Sequence, residues 1–148
     1  MQTYIMKFGG AALSCPEDFS RCAKLVLQKA ESGANIVVVV SAMQGLTDQL
    51  ISLAQQVNDR PPPREVDMLV SVGERMSMSL FAMALDKFAC DAVSFTGSQT
   101  GIITCGDHNN AKIVKVNPFR ILPHLNQHKI VIVAGFQGVS EAGEITTL

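Results

Sequence analysis

The sequence has no tryptophan and a single tyrosine, so seven methionines and seven phenylalanines must supply the bulk of its core. A soft aliphatic interior with few rigid aromatic anchors is expected. Charge is scarce too. Asp, Glu, Lys and Arg make up 17% of residues, against 47% hydrophobic. About 25% charged is usual for a free-standing domain, so a covered face is expected, through self-association or a missing neighbour. Net charge is −1, with no basic stripe interleaved with aromatics, which argues against a nucleic-acid partner. No apolar run approaches the roughly 18 residues that span a membrane. Met1-Gln2-Thr3 opens directly into a strand, without the basic and apolar regions of a signal peptide. A cytoplasmic location without a membrane partner is therefore expected. The four cysteines, 15, 22, 90 and 105, include no Cys-x-x-Cys pair. Free thiols and no resident metal are the expectation.

At 148 residues the chain is one domain or a large part of one. Residues 3–6 read as a short strand. Ser14-Cys15-Pro16-Glu17 reads as a capping box with proline in the first turn of a helix. Phe19, Ala23, Val26, Leu27 and Ala30 give that helix one apolar face, and Ser32-Gly33 ends it. Ile36 to Val40 is β-branched on both faces, as a central parallel strand requires. Thr47 or Asp48 can cap the next helix, and Pro61-Pro62-Pro63 interrupts the pattern. Two helices then follow, 64–72 and 74–88, with Gly73 as a tight joint or a point of close packing. Met76, Leu80, Met83, Ala84 and Leu85 line the second. Strands are predicted at 92–95, 102–104, 113–116 and 130–134. A helix starting at Asn117-Pro118 precedes the last of these, and a glycine hairpin closes the chain. The fold class is α/β: a sandwich of mostly parallel strands with helices on both faces.

Ligands in such sheets bind beyond the carboxyl ends of strands. Four polar loops fall there: 7–12, 41–48, 96–101 and 135–138. Lys7 with Gly9 and Gly10 can hold phosphate, since glycine N–H groups approach an anion closely and the next helix points its amino end there. A tight turn with a solvated lysine is the other reading. Ser41 and Thr47 offer hydroxyls. Glu74, expected at a helix start, either complements the dipole or holds a substrate ammonium. His108 is a candidate base without a recognisable nucleophile. His124 and His128 read as surface residues, and Arg64, Glu65 and Asp67 as solvated helix charges.

Taken in order, these segments resemble the aspartate kinases of the amino acid kinase family. The match runs from Lys7-Phe8-Gly9-Gly10 through Val38 to Met43, Gly45, Thr47-Asp48, Arg64-Glu65, Asp67 and Gly73-Glu74. It continues through Thr96-Gly97, Gln99, His108 and Asn110-Ala111, and closes with Val133 to Gly138 and Gly143 to Leu148. The resemblance implies an amino-acid-kinase-like sandwich, truncated. Residues 1–148 would be its amino-terminal, amino-acid-binding part, with the nucleotide half and the ACT regulatory domains absent. It implies phosphorylation of L-aspartate by ATP with Mg²⁺ to 4-phospho-L-aspartate, the first step toward lysine, threonine and methionine. By the same resemblance Lys7 is catalytic and binds phosphate with Phe8, Gly9 and Gly10, while Ser41, Thr47 and Glu74 bind substrate. Three departures stand out. Ala11-Ala12 replaces the family's Thr-Ser. Asn109 replaces a glycine, a mild change unless that glycine needs positive φ. The family's Gly-Arg-Gly-Gly-Ser-Asp, expected after Thr-Thr-Leu, is absent. The alternative is an inactive remnant that serves as a binding or interaction module, and the isolated chain is expected to lack turnover.

Overall fold

The computed structural model describes residues 2–148. Its elements are β1 (Thr3–Phe8), α1 (Pro16–Ala30), β2 (Asn35–Val40), α2 (Leu46–Val57) and α3 (Pro63–Asp86), then β3 (Ala92–Phe95), β4 (Ile102–Thr104) and β5 (Ile113–Val116). The chain ends with α4 (Leu122–Asn126), β6 (Ile130–Ala134), β7 (Gln137–Ser140) and β8 (Ile145–Thr147). The strands form two four-stranded sheets. The first, ordered β1-β2-β6-β3, is parallel throughout. The second, ordered β5-β4-β7-β8, is antiparallel except between β4 and β7. Helices flank both faces of the first sheet, as expected.

Alternation along the strands decides what each face meets. Ile36, Val38 and Val40 of β2 join Ile130 and Ile132 of β6 under α1 and α3. Val131 and Val133 point the other way, toward Phe95 and Leu125. Every residue of β6 is buried, because it has a strand on each side and a layer on each face. The core has more aromatic structure than its composition implied. Phe8, Phe19 and Phe81 cluster between sheet and helices, with ring centroids 5.3 and 6.4 Å from the Phe81 ring. Burying a side chain such as Phe81 fully contributes about 1.5–3 kcal/mol.

Several element boundaries differ from expectation for local reasons. β1 runs on to Phe8, so Lys7 lies within the strand. Pro16 at the first position of α1 makes Cys15 the cap, and the carboxylate that reaches back is Asp18, not Glu17. Asp18 Oδ2 accepts from the N–H groups of Ser14 (2.8 Å) and Cys15 (3.3 Å). Gly45, at φ +78°, starts α2, so Thr47 and Asp48 lie inside the helix rather than capping it. The proline-bounded stretch after Pro62 is one unbroken 24-residue helix, α3, not two. By length and composition alone α3 is therefore long and apolar enough to cross a membrane, contrary to the expectation from residue runs. Here it packs as a core helix, with Val70, Phe81 and Leu85 buried.

The buried face of α3 is the predicted one only in part: Ala84 and Leu85 are buried as expected. Met76, Leu80 and Met83 are exposed, while Asp67, Ser71, Glu74 and Ser77 are buried. Some of these polar groups meet partners from other elements there, while Ser77 Oγ has none among the described residues. The Gln137 side-chain amide of β7 donates to the Ser71 carbonyl at 3.0 Å. Asp67 accepts from His108 Nδ1–H (2.7 Å), the Asn109 N–H (3.1 Å) and the Thr147 hydroxyl. Asp67 is thus no solvated charge. His108, expected as a free candidate base, is its partner. Asn109 sits at φ +61°, the left-handed region where asparagine is the tolerated substitute for glycine. That position does need positive φ.

Candidate functional site

The site follows from strand register. Phe8 pairs with Val40, and Val40 with Ala134, so β1, β2 and β6 end level. The ladder continues one residue further: Ser41 N–H donates to the Phe8 carbonyl (3.0 Å) and Gly135 N–H to the Val40 carbonyl (2.9 Å). Three loops therefore leave the sheet side by side. They and α3 enclose an open cavity of about 830 Å³, whose wall includes Lys7, Gly10, Ser41, Thr47 and Glu74.

Lys7 reaches the cavity because β1 alternates. Its side chain shares a face with exposed Ile5, while Phe8 turns into the core. Of the four residues read as a phosphate corner, Lys7 and Gly10 line the cavity; the Phe8 side chain is buried and Gly9 stays exposed outside it. Gly10 to Ala12 form a short 3₁₀ turn. Ser14 ties this turn to the neighbouring loop, its hydroxyl bonded to Gln44 Oε1 at 2.8 Å. At Gly10 a Cβ would sit 3.1 Å from the Ala42 carbonyl, so the two loops touch backbone to backbone.

Glu74 is the unusual member. It lies in the middle of α3, not at a helix start, so dipole complementation is not its role. It is 3% exposed. Oε1 accepts from the Ala42 N–H at 3.2 Å, and Oε2 has no partner among the described residues. Burial pushes this carboxyl above its ordinary value of 4.5, outweighing the downward pull of backbone hydrogen bonds from its own N–H and Ala42. Gly73 makes the geometry possible. A Cβ there would stand 2.7 Å from the Ala42 Cβ, so only glycine lets α3 come this near the loop.

The other expected loop, 96–101, is not part of the cavity wall. It turns inward, with Thr100 buried and its hydroxyl on the Gly97 carbonyl at 2.6 Å. A Cβ at Gly97 would lie 2.2 Å from the Gln137 carbonyl, so this loop buttresses β7. His124, expected at the surface, is half-buried: its ring lies 5.4 Å from that of Phe95, tilted by 54°, and its Nδ1 is buried without a partner among the described residues. All four cysteines are free. Sequence reasoning missed Ala42, whose backbone orients Glu74, and Asp67. For Asp67 a signal existed: Asp67, Ser71, Glu74 and Ser77 recur at helical spacing, a polar stripe in line with Val70 and Phe81.

A carboxylate with one free oxygen and a lysine in the same cavity can take a ligand carrying an ammonium at one end and anionic groups at the other. Comparison with known proteins bears on which ligand. Residues 2–148 match the Amino acid kinase family. The chain is 48% identical over 149 residues to the aspartokinase of Mycolicibacterium smegmatis, covering all of this chain and 35% of that protein. It thus spans about a third of the length of the curated relatives it matches. The crystal structure of aspartate kinase from Synechocystis superposes with a TM-score of 0.83 at 38% identity, over 99% of this chain and 23% of that one. E. coli aspartokinase III, solved with aspartate and ADP, superposes at 0.86 over all of this chain and 43% of that one. Its 24% identity speaks to the fold.

Proposed function

This chain belongs to the amino acid kinase family, and from that premise we propose that it forms the acceptor-binding part of an aspartate kinase. The reaction is transfer of the γ-phosphoryl group of ATP to the side-chain carboxylate of L-aspartate. The observation that carries this reading is the free, buried Oε2 of Glu74 in the wall of the cavity that also holds Lys7.

Glu74 receives the α-ammonium of aspartate. A buried carboxylate with an unmet oxygen gains more from an incoming cation than an exposed one does, because the site is already desolvated. Ser41 and Thr47 donate hydroxyls to the acceptor's carboxylates. Lys7 neutralises charge on the transferring phosphoryl group, with Gly10 beside it. The acceptor carboxylate oxygen attacks the γ-phosphorus in line, the bond to the β-phosphate oxygen breaks, and ADP leaves. The nucleophile is already ionised, so no general base is needed, and positioning and charge neutralisation do the catalysis. Mg²⁺ arrives with the nucleotide as part of the substrate. The alanines at 11 and 12 offer no hydroxyl to the phosphates, and this favours a second reading: a chain that binds the amino acid without turning it over.

Titration calorimetry tests the shared premise. L-Aspartate is expected to bind the 148-residue chain, and Glu74→Gln to weaken it about tenfold or more. Succinate, which lacks the ammonium, is expected to bind both forms alike. Equal aspartate affinity for the two proteins would overturn the assignment of Glu74.

A further inference from the structure

Two amide side chains belong to the wall of the acceptor cavity, Gln44 and Gln137. Gln137 is buried, and its amide is committed to the Ser71 carbonyl at 3.0 Å. Gln44 is exposed, and its amide nitrogen has no partner among the described residues. Its backbone and its side-chain oxygen are nevertheless fixed. The Gln44 N–H donates to the carbonyl of fully buried Leu13 at 3.3 Å. The Ser14 hydroxyl donates to Gln44 Oε1 at 2.8 Å, the shorter of the two bonds open to it, the other being to the Ala11 carbonyl at 3.1 Å. Ser14 is held in turn, its N–H donating to Asp18 Oδ2 at 2.8 Å. With Oε1 taken, the amide has two unmet N–H groups to offer.

Gln44 stands against the corner where Lys7 and Gly10 meet the cavity. A Cβ placed on Gly10 would lie 3.5 Å from the Gln44 Cα. That corner is otherwise short of donors. Lys7 is exposed, so water screens its charge. Gly10 lends only its backbone, and Ala11 and Ala12 carry no hydroxyl. A glutamine already held by its backbone and by one amide atom loses little freedom when the other amide atom meets an anion. A hydrogen bond to a charged group is also stronger than one between neutral groups.

We propose that Gln44 is a specificity-determining residue of this cavity, its Nε2–H groups donating to a phosphoryl group held at Lys7 and Gly10. The bridge from Ser14 orients the amide, and the amide supplies donors that the alanines at 11 and 12 do not. That the phosphoryl group is the one transferred to aspartate rests on the acceptor-site reading; the anion contact rests on the geometry around Gln44.

Nuclear magnetic resonance on the 148-residue chain, titrated with inorganic phosphate, tests it. The side-chain amide resonance of Gln44, assigned by its loss in Gln44→Ala, is expected to shift with saturation. Gln44→Ala is expected to weaken phosphate binding about tenfold, read from the backbone resonances of Gly9 and Gly10. Gln44→Glu separates donation from a merely structural bridge. A glutamate still accepts from Ser14 but turns a negative charge toward the anion, so it is expected to bind phosphate no better than Gln44→Ala. Wild-type phosphate affinity in Gln44→Glu would overturn the proposal, as would an amide resonance that phosphate leaves unmoved. A parallel titration with L-aspartate keeps the two readings apart. Phosphate binding that depends on Gln44, in a chain that takes no aspartate, would overturn the acceptor site and support the Gln44 contact. Aspartate binding that Glu74→Gln weakens, with phosphate indifferent to Gln44, would overturn the Gln44 contact alone.

Discussion

Two carboxylates on the inner face of α3 divide the work at the scale of single residues. Asp67 is saturated by a histidine, a backbone N–H and a threonine hydroxyl. Glu74 has one donor and one empty oxygen. The first ties α3 to β8 and the loop around His108; the second is held in readiness at a cost to the fold. Because burial raises the Glu74 carboxyl above 4.5, the folded chain holds its proton more tightly than the unfolded one. Stability is then full below pH 4.5 and falls as pH rises through the raised value. Glu74→Gln is accordingly expected to stabilise the fold at neutral pH by about 1 kcal/mol, with the gain shrinking toward pH 4. Urea denaturation at both pH values measures this, and a lower midpoint for the variant at pH 7 would contradict it. Lys7, Ser41 and Thr47 were legible in the sequence as polar residues near strand ends, and Glu74 as a carboxylate at an expected helix start that the structure places within α3. The burial of Asp67 was legible only as a polar stripe at helical spacing; beside Arg64 and Glu65 it reads as solvated until its distant partners are known.

At the scale of elements, two glycines do different jobs, and substitution separates them. Gly45 starts α2 at φ +78°, with open space where a Cβ would stand. Gly45→Ala is expected to cost about 1–2 kcal/mol through backbone strain alone. Gly73 has ordinary helical geometry but no room, its hypothetical Cβ meeting that of Ala42 at 2.7 Å. Gly73→Ala is expected to cost about 1–3 kcal/mol by overpacking and to weaken aspartate binding, because Glu74 moves with the helix. Ala42→Gly in the same chain should recover much of the Gly73→Ala loss and none of the Gly45→Ala loss; denaturation midpoints and calorimetry read both. Element order and type were legible from periodicity and caps. The continuity of α3 through Gly73 was not, because a glycine that breaks a helix and one that lets a loop touch it look the same in sequence.

At the scale of the molecule, the first sheet is covered unevenly. Lys7 is exposed, and Ile5 beside it, on the edge strand, is 73% exposed. β8 packs against α3 with Thr146 and Thr147 buried, while β5 is exposed along its length. A lysine in open solvent is a weak phosphate clamp, since water screens its charge. The 148-residue chain alone is therefore expected to release no ADP above background in a coupled assay with aspartate, ATP and Mg²⁺; turnover abolished by Lys7→Ala would refute this. What the sequence determined by itself was local: strand and helix order, the parallel β1–β2 unit and the polar loops that gather at one end, all written in periods of two and 3.6 residues. What only the tertiary structure decided was which stripe of α3 goes inside. On that face Asp67 meets the Thr147 hydroxyl, Glu74 the Ala42 N–H and the Ser71 carbonyl the Gln137 amide, partners far from α3 in the chain whose hydrogen bonds offset part of the cost of burying polar groups beside Val70, Phe81 and Leu85.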